Sequence, residues 1–230
     1  MICHVFLRRK NYNIVMEFLI LAFFSSLLIT LVLIRYQHLH EKISHDHDLS
    51  GPQKFHTHAV PRIGGIGIFL ALLISGVVAL NFSNVEKGTL LLQLSACALP
   101  TFFIGLTEDL TKKIGVKIRL LATASSALLS GYALNVWVTQ IQIPGIDWLL
   151  SIGVIAIIFT VIAVTGLSNA YNIIDGFNGL ASMIAIIALL AIAYVAFQVQ
   201  DKMILYLAVV MVGAIAGFFI WNYPRGLIFL

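Results

Sequence analysis

The stretch "LASMIAIIALLAIAYVAFQV", residues 180–199, contains no charged residue. An α-helix rises 1.5 Å per residue, so a run of this length spans about 30 Å, the thickness of the hydrocarbon core of a bilayer. The stretch therefore predicts a transmembrane helix.

Six more runs of the chain are nearly free of charge and about as long. They cover residues 18–34, 63–80, 89–106, 120–138, 148–167 and 203–221. Over all 230 residues, 60% are hydrophobic and 10% are charged, whereas an ordinary soluble domain is about one quarter charged. Because unpaired backbone groups are costly in lipid and helices satisfy their own, we predict an all-α integral membrane protein, a single-domain bundle of about seven transmembrane helices.

The basic residues predict how the chain is oriented. They concentrate between runs one and two, between runs three and four, and after run seven, at Arg35, Lys42, Lys54, Arg62, Lys112, Lys113, Lys117, Arg119 and Arg225. Since cytoplasmic loops carry an excess of Lys and Arg, we expect these loops to be cytoplasmic and the N-terminus to lie outside.

The first residues disagree with this orientation. Arg8, Arg9 and Lys10 would precede the first span on the outer face. Met16 stands directly before the apolar run, so we expect residues 1–15 to be an over-extended start and residues 16–230 to be the transmembrane domain. A cleaved signal peptide is the alternative, but no small-residue cleavage site follows the apolar stretch.

Loop one ends in "KFHTHAVPRIGG", residues 54–65. Lys54, His56 and Arg62 could face an anionic group at the start of the next helix, where unpaired amides favour phosphate. The structural alternative is that the basic residues mark the membrane interface and the glycines ease helix packing.

Most of the histidines also fall in loop one. They form the pairs His38 and His40, His45 and His47, and His56 and His58. An HxH pair on an extended segment directs both imidazoles to one side, so a transition-metal site is one interpretation. A solvated loop is the alternative for the first four.

Loop two contains "GLTEDL", residues 105–110, with Glu108 and Asp109 at the inner end of run three. Two adjacent carboxylates repel each other unless a cation or basic groups compensate. Mg²⁺ suits them, because it binds one or two carboxylates together with substrate phosphates. The alternative is an acidic helix end whose charge is balanced by Lys112 and Lys113, three and four residues further on.

Loop three is "NAYNIIDGFNGL", residues 169–180. Asn169, Asn172 and Asp175 recur every three residues, so a helical turn would place them on one face. A plain turn with Asn178 capping the next helix is the structural alternative. This polar stripe abuts the membrane, and polarity held at membrane depth is costly and usually functional, which favours a site.

The three stretches together resemble the polyprenyl-phosphate N-acetylhexosamine-1-phosphate transferases of the glycosyltransferase 4 group. That family includes the phospho-MurNAc-pentapeptide translocase and the initiating transferases of O-antigen, enterobacterial common antigen and wall teichoic acid. "KFHTHAVPRIGG" is similar to the family's KxHxxPxPRxGG, "GLTEDL" to GxxDD, and "NAYNIIDGFNGL" to NxxNxxDGxxGL. The resemblance extends from about Met16 to the end of the chain.

The resemblance implies an enzyme of bacterial cell-surface polysaccharide synthesis in the inner membrane, with a cytoplasmic active site. It would transfer a sugar-1-phosphate from a UDP-N-acetylhexosamine to undecaprenyl phosphate and release UMP. The resemblance implies Mg²⁺, with Mn²⁺ as a substitute, and no nucleic-acid partner; a homodimer is compatible with it.

The resemblance also implies roles for individual residues. Asp109 and Asp175 are the expected catalytic carboxylates, and Glu108 joins them as a metal ligand. The residues expected to bind phosphate and nucleotide are Lys54, His56, Arg62, Asn169 and Asn172.

The chain departs from the family pattern in three places. Glu108 stands where the family usually has Asp, and Ala59 replaces the first proline of loop one. The chain also ends at "WNYPRGLIFL", where family members continue with a Gly-Asp motif and further helices, so we expect a C-terminally truncated or partial protein. "VPRIGG" favours the initiating O-antigen and teichoic-acid type, with UDP-GlcNAc or a related sugar as donor.

Two other functions fit parts of the sequence. An inactive remnant of such a transferase would keep the fold and lose activity. A metal-ion transporter with a His-rich loop is the other, but the apolar runs hold no ionisable ligand, which a transport path needs.

Overall fold

The computed structural model describes residues 2–37, 60–82, 85–111 and 113–229, with side chains from residue 15 onward. Within these ranges the regular elements are α-helices. They are α1 (Ile2–Arg35), α2 (Gly65–Phe82), α3 (Val85–Cys97), α4 (Leu99–Thr111), α5 (Val116–Leu134), α6 (Ile146–Leu150), α7 (Gly153–Ile174), α8 (Leu180–Gln198) and α9 (Lys202–Asn222).

Five of the described helices are long and apolar enough to cross a membrane, judged by length and composition: α1 from Val15 onward, α2, α7, α8 and α9. The pair α3 and α4, bent by 48° at its break, raises the count to six if it forms one span. The all-α membrane bundle is therefore confirmed, while the predicted count of seven is approximate. The difference is α5, which overlaps the run 120–138 as far as Leu134, has Lys117 and Arg119 in its first turn and contains several serines.

The break between α3 and α4 has a local cause. Pro100 lacks a backbone N–H, so it cannot continue the hydrogen bonding of a helix interior. The next residue finds its partner on α5: the backbone N–H of Thr101 donates to Ser126 Oγ at 3.2 Å, and Thr101 Oγ1 donates to Ser126 Oγ at 2.9 Å. A serine side chain thus satisfies groups that the broken helix leaves open.

The chain forms two compact units. The first unit is Met1–Leu92 with Asp175–Leu230, and the second is Gln93–Ile174. In the first unit α9 is the central helix, since it packs against α1, α2 and α8. Its core is a cluster of small and aromatic side chains from four helices: Phe18, Ala22, Ala71, Ala79, Leu91, Tyr206, Val210 and Ala214.

In the second unit α5 packs against both α4 and α7. The helices α5 and α7 run antiparallel, because Arg119 at the start of α5 contacts Asn169 near the end of α7. Past the other end of α5, the Val138 N–H donates to Thr160 Oγ1 of α7 at 2.9 Å. This arrangement brings the end of α4, the start of α5 and the end of α7 together.

Candidate active site

The second unit contains a polar cluster at the meeting point of three helix ends. Arg119, in the first turn of α5, donates from Nη1 to Glu108 Oε1 at 2.8 Å. Its other terminal nitrogen, Nη2, donates to Asn169 Oδ1 at 3.1 Å. The Arg119 side chain is 17% exposed and that of Glu108 27%. One guanidinium therefore connects the acidic motif of loop two with the first asparagine of loop three.

Sequence reasoning placed Glu108 and Asn169 in one site but gave Arg119 no role beyond orienting the chain. The available signal was its position eleven residues after Glu108, one turn into the following helix. A basic side chain there faces back toward the end of the preceding helix when the connection is short. A rule for basic residues one turn after a short loop would have selected it.

The neighbouring predicted residues lie on the same helix ends. Asp109 follows Glu108 in the last turn of α4 and is half-buried. Asn172 lies nearly one turn beyond Asn169 on α7 and is exposed. Both carry polar groups where the apolar parts of their helices end.

The first unit contains the other described part of the predicted site, Arg62 and Asp175. Burial raises the pKa of the half-buried Asp175 carboxyl from its usual 3.8 to about 7, while the nearby positive charge of Arg62 opposes that rise. Arg62 from loop one and Asp175 from loop three are therefore close enough to interact electrostatically.

The turn after Asp175 is not the plain turn, with Asn178 capping the next helix, that the sequence offered as the alternative. The N-cap of α8 is Gly179, with φ +75° and no side-chain capping bond, so the capping role considered for Asn178 is wrong. Asn178 instead donates from Nδ2 to the Pro224 carbonyl at 3.0 Å. The left-handed φ of Gly179 suits glycine, and a Cβ there would lie 2.8 Å from Phe219 Cε2. The turn of loop three therefore lies against the end of α9 and the residues that follow it.

Several predicted residues lie outside the described part of the chain. Two of them, Lys54 and His56, are phosphate-binding candidates. Lys112 and the paired histidines of loop one lie outside it as well. Their predicted roles stay predictions.

The predicted Mg²⁺ site stays a prediction. Among the residues the structure describes, there is no group of three or more His, Cys, Asp or Glu side chains that could hold a metal ion. Mg²⁺ commonly uses only one or two carboxylates, with water and substrate phosphates completing its shell. Of the adjacent pair, Glu108 forms an ion pair with Arg119 through Oε1.

The family model described as glycosyl transferase family 4 matches residues 91–230, which is more than half of the chain. The match includes loops two and three, whereas Arg62 and the rest of loop one precede it. No curated protein matches the chain.

Proposed function

The chain belongs to glycosyl transferase family 4, and from that premise we propose that it transfers an N-acetylhexosamine-1-phosphate from a UDP-sugar to a polyprenyl phosphate. In this reaction an oxygen of the lipid phosphate attacks the phosphorus atom attached to the sugar. The bond between the two phosphates of the donor breaks, and UMP leaves with the bridging oxygen. The product is a polyprenyl pyrophosphate-linked sugar.

The observation that carries this proposal is the contact of Arg119 with Glu108 and Asn169. It joins the motif of residues 105–110 and the motif that begins at Asn169 into one polar cluster at one end of otherwise apolar helices. Polar groups held at membrane depth are costly, so those that are present usually serve a function. Chemistry between a membrane-bound phosphate and a water-soluble nucleotide requires polar groups at the end of a helix bundle.

The charges of this cluster support a divalent cation. Glu108 and Asp109 supply two adjacent carboxylates, and Arg119 forms an ion pair with Glu108. Carboxylate oxygens are ligands that Mg²⁺ prefers. When bound, Mg²⁺ would offset the charge of the two phosphates as they approach each other. Asp109 would hold it, while Glu108 orients Arg119.

The residues of the first unit complete the proposal. Arg62 would bind a phosphate of the donor or the lipid, because a guanidinium matches the geometry of phosphate oxygens. Asp175, with its raised pKa, would be a second carboxylate near the nucleotide. The sequence motif adds Lys54 and His56 as further phosphate-binding residues, and Asn169 and Asn172 as residues lining the nucleotide pocket.

The proposed setting follows from the basic loops and the motif type. The active site would face the cytoplasm of a bacterium at its inner membrane, since basic loops favour that side. UDP-GlcNAc is the first donor to test, and the reaction would initiate synthesis of a surface polysaccharide such as O-antigen or teichoic acid.

The test is UMP release by the purified protein from UDP-GlcNAc with undecaprenyl phosphate, with and without Mg²⁺. We expect release that requires Mg²⁺ and falls by about 100-fold or more in Asp109→Asn and Asp175→Asn, as when a group that stabilises charge in the transition state is removed. Glu108→Gln should lower the rate less, because it loses only the ion pair with Arg119.

The matched control is Asp201→Asn, which changes a carboxylate at the N-cap of α9 and should keep the full rate. Equal rates for the wild-type protein, Asp109→Asn and Asp175→Asn would refute the site. Release without Mg²⁺ would refute the role of the cation.

A further inference from the structure

The last described residues fold back between two loops of the first unit. We call residues 222–229 the clasp. Its first residue, Asn222, is 1% exposed. Asn222 Oδ1 accepts a hydrogen bond from the Gly179 N–H at 2.5 Å, and Nδ2 donates to the Ile228 carbonyl at 2.8 Å. One buried amide therefore holds both the turn of loop three and the far end of the clasp.

The far end of the clasp pairs with loop one. The Phe229 N–H donates to the Pro61 carbonyl at 3.0 Å, and the Gly64 N–H donates to the Phe229 carbonyl at 2.8 Å. Ile63, between these partners, is buried, and so is Ile228 of the clasp. Arg62 therefore lies between Pro61 and Gly64, the two residues of loop one whose backbone groups bond to the clasp.

The glycines of loop one show how close this pairing is. A Cβ on Gly64 would clash with the Phe218 ring of α9 and would lie 2.6 Å from the Phe229 carbonyl oxygen, which is shorter than a real contact allows. The neighbouring Gly65 has nothing within 4 Å of the same position. Gly64 thus allows loop one to pack closely against both α9 and the clasp, whereas Gly65 has no such neighbour.

We propose that Asn222 is a positioning residue that, through the clasp, fixes the arrangement of Arg62 and Asp175. Its two hydrogen bonds link Gly179, four residues after Asp175, to Ile228, next to the residue that pairs with loop one. Removal of its side chain would leave a buried donor and a buried acceptor without partners, which costs more than an ordinary lost hydrogen bond. The functional meaning of this arrangement rests on the proposed function; the arrangement itself does not.

The test measures how readily the side chains at positions 62 and 175 come within reach of each other. Arg62→Cys and Asp175→Cys are combined in a chain whose Cys3 and Cys97 are replaced by Ser and Ala. A short bis-methanethiosulfonate reagent then cross-links the pair in detergent-solubilised protein, and the rate is followed by mass spectrometry. No UDP-sugar is required, so a protein without transferase activity still tests the clasp.

We expect Asn222→Ala to lower the cross-linking rate by about fivefold or more, because the loops are no longer held together. Asn222→Asp keeps the acceptor for Gly179 but loses the donor to Ile228, and we expect a similar loss. Asn81→Ala is the matched control, since Asn81 is an exposed asparagine that donates to the Val77 carbonyl of its own helix. Its rate should equal that of the parent.

A second pair of variants covers the case in which Asn222→Ala does not fold. Gly64→Ala should lower the cross-linking rate and Gly65→Ala should not. Asp201→Ala, which destabilises α9 away from the clasp, shows whether lost stability alone changes the rate, and we expect no change. Unchanged cross-linking in both Asn222→Ala and Gly64→Ala, or an equal loss in Asp201→Ala, would overturn the proposal.

Discussion

Arg119 connects the acidic motif of loop two to the start of α5. Its Nη1 forms an ion pair with Glu108 Oε1 at 2.8 Å. Glu108 lies near the end of α4 and Arg119 in the first turn of α5, so this contact joins the two helix ends.

The raised pKa of Asp175 predicts that the stability of the Mg²⁺-free protein depends on pH. Its pKa is about 7 in the folded protein and near 3.8 when exposed, so folding favours the protonated form. The stability that this group supports is fully present below about pH 4 and is lost as the pH rises toward 7 and above. We therefore expect Asp175→Asn to raise the melting temperature at pH 8, measured by thermal unfolding in detergent.

The control compares the melting temperatures of the wild-type protein and Asp175→Asn at low pH. Near pH 4 both side chains are mainly uncharged in the folded state, and the two melting temperatures should be similar. Added Mg²⁺ at pH 8 should stabilise the wild-type protein and not the variant if Asp175 binds the cation. A melting temperature for Asp175→Asn that is lower than wild type at pH 8 would contradict the cost of burying this charge.

At the scale of single helices, α9 determines whether the first unit holds together. It packs against α1, α2 and α8, and Trp221 near its end donates to the Leu27 carbonyl of α1 at 3.0 Å. The helix begins at a side-chain cap: Asp201 accepts hydrogen bonds from the Met203 and Ile204 N–H groups, each at 3.0 Å. Its other end leads directly into the clasp.

Asp201→Ala removes the cap of α9. We expect it to destabilise the protein by about 1 kcal/mol, the usual cost of losing an N-cap, and to lower the melting temperature by a few degrees. Asp201→Asn retains a side-chain acceptor and should melt close to wild type. Equal melting temperatures for Asp201→Ala and wild type would show that the first turn of α9 does not limit stability.

At the scale of the whole molecule, the predicted site residues are divided between the two units. The first unit contains Arg62 and Asp175, and the second contains Glu108, Asp109 and Asn169. The division falls between Ile174 and Asp175, inside loop three, so the motif "NAYNIIDGFNGL" is shared by both. A single short motif therefore links the two groups of site residues through the chain itself.

The antiparallel packing in the second unit predicts its topology in the membrane. α5 is 19 residues long, about 28 Å at 1.5 Å per residue, so it is long enough to cross despite its polar residues. We expect Lys113→Cys and Asn172→Cys to react with a membrane-impermeant maleimide from one face, the cytoplasmic one. Gln142→Cys should react from the other, in vesicles of known orientation that carry the chain without its native cysteines.

The parent protein without cysteines is the control for background labelling. Labelling of Lys113→Cys and Asn172→Cys from opposite faces would mean that α5 does not cross the membrane. The acidic pair and the asparagine-rich turn would then lie on different sides, and the proposed enzyme site would be lost.

The long charge-free runs determined the helices because helix formation in an apolar setting is local. Each backbone group finds its partner four residues away, and a run such as 180–199 allows no other way to satisfy them in lipid. The sequence also identified the polar stretches, since carboxylates, amides and glycines stand out between apolar runs. The helix count was less certain because α5 combines a full helical length with intermediate polarity.

The side-chain partners were decided only by the tertiary structure. Arg119 meets Asn169 across 50 residues, and Asn222 meets Gly179 across 43. Neither pairing follows from a local pattern, because both depend on which helices pack together and on how far each extends. The sequence determined which residues have the chemistry for phosphate and cation, and the packing of helix ends decided which of them contact one another.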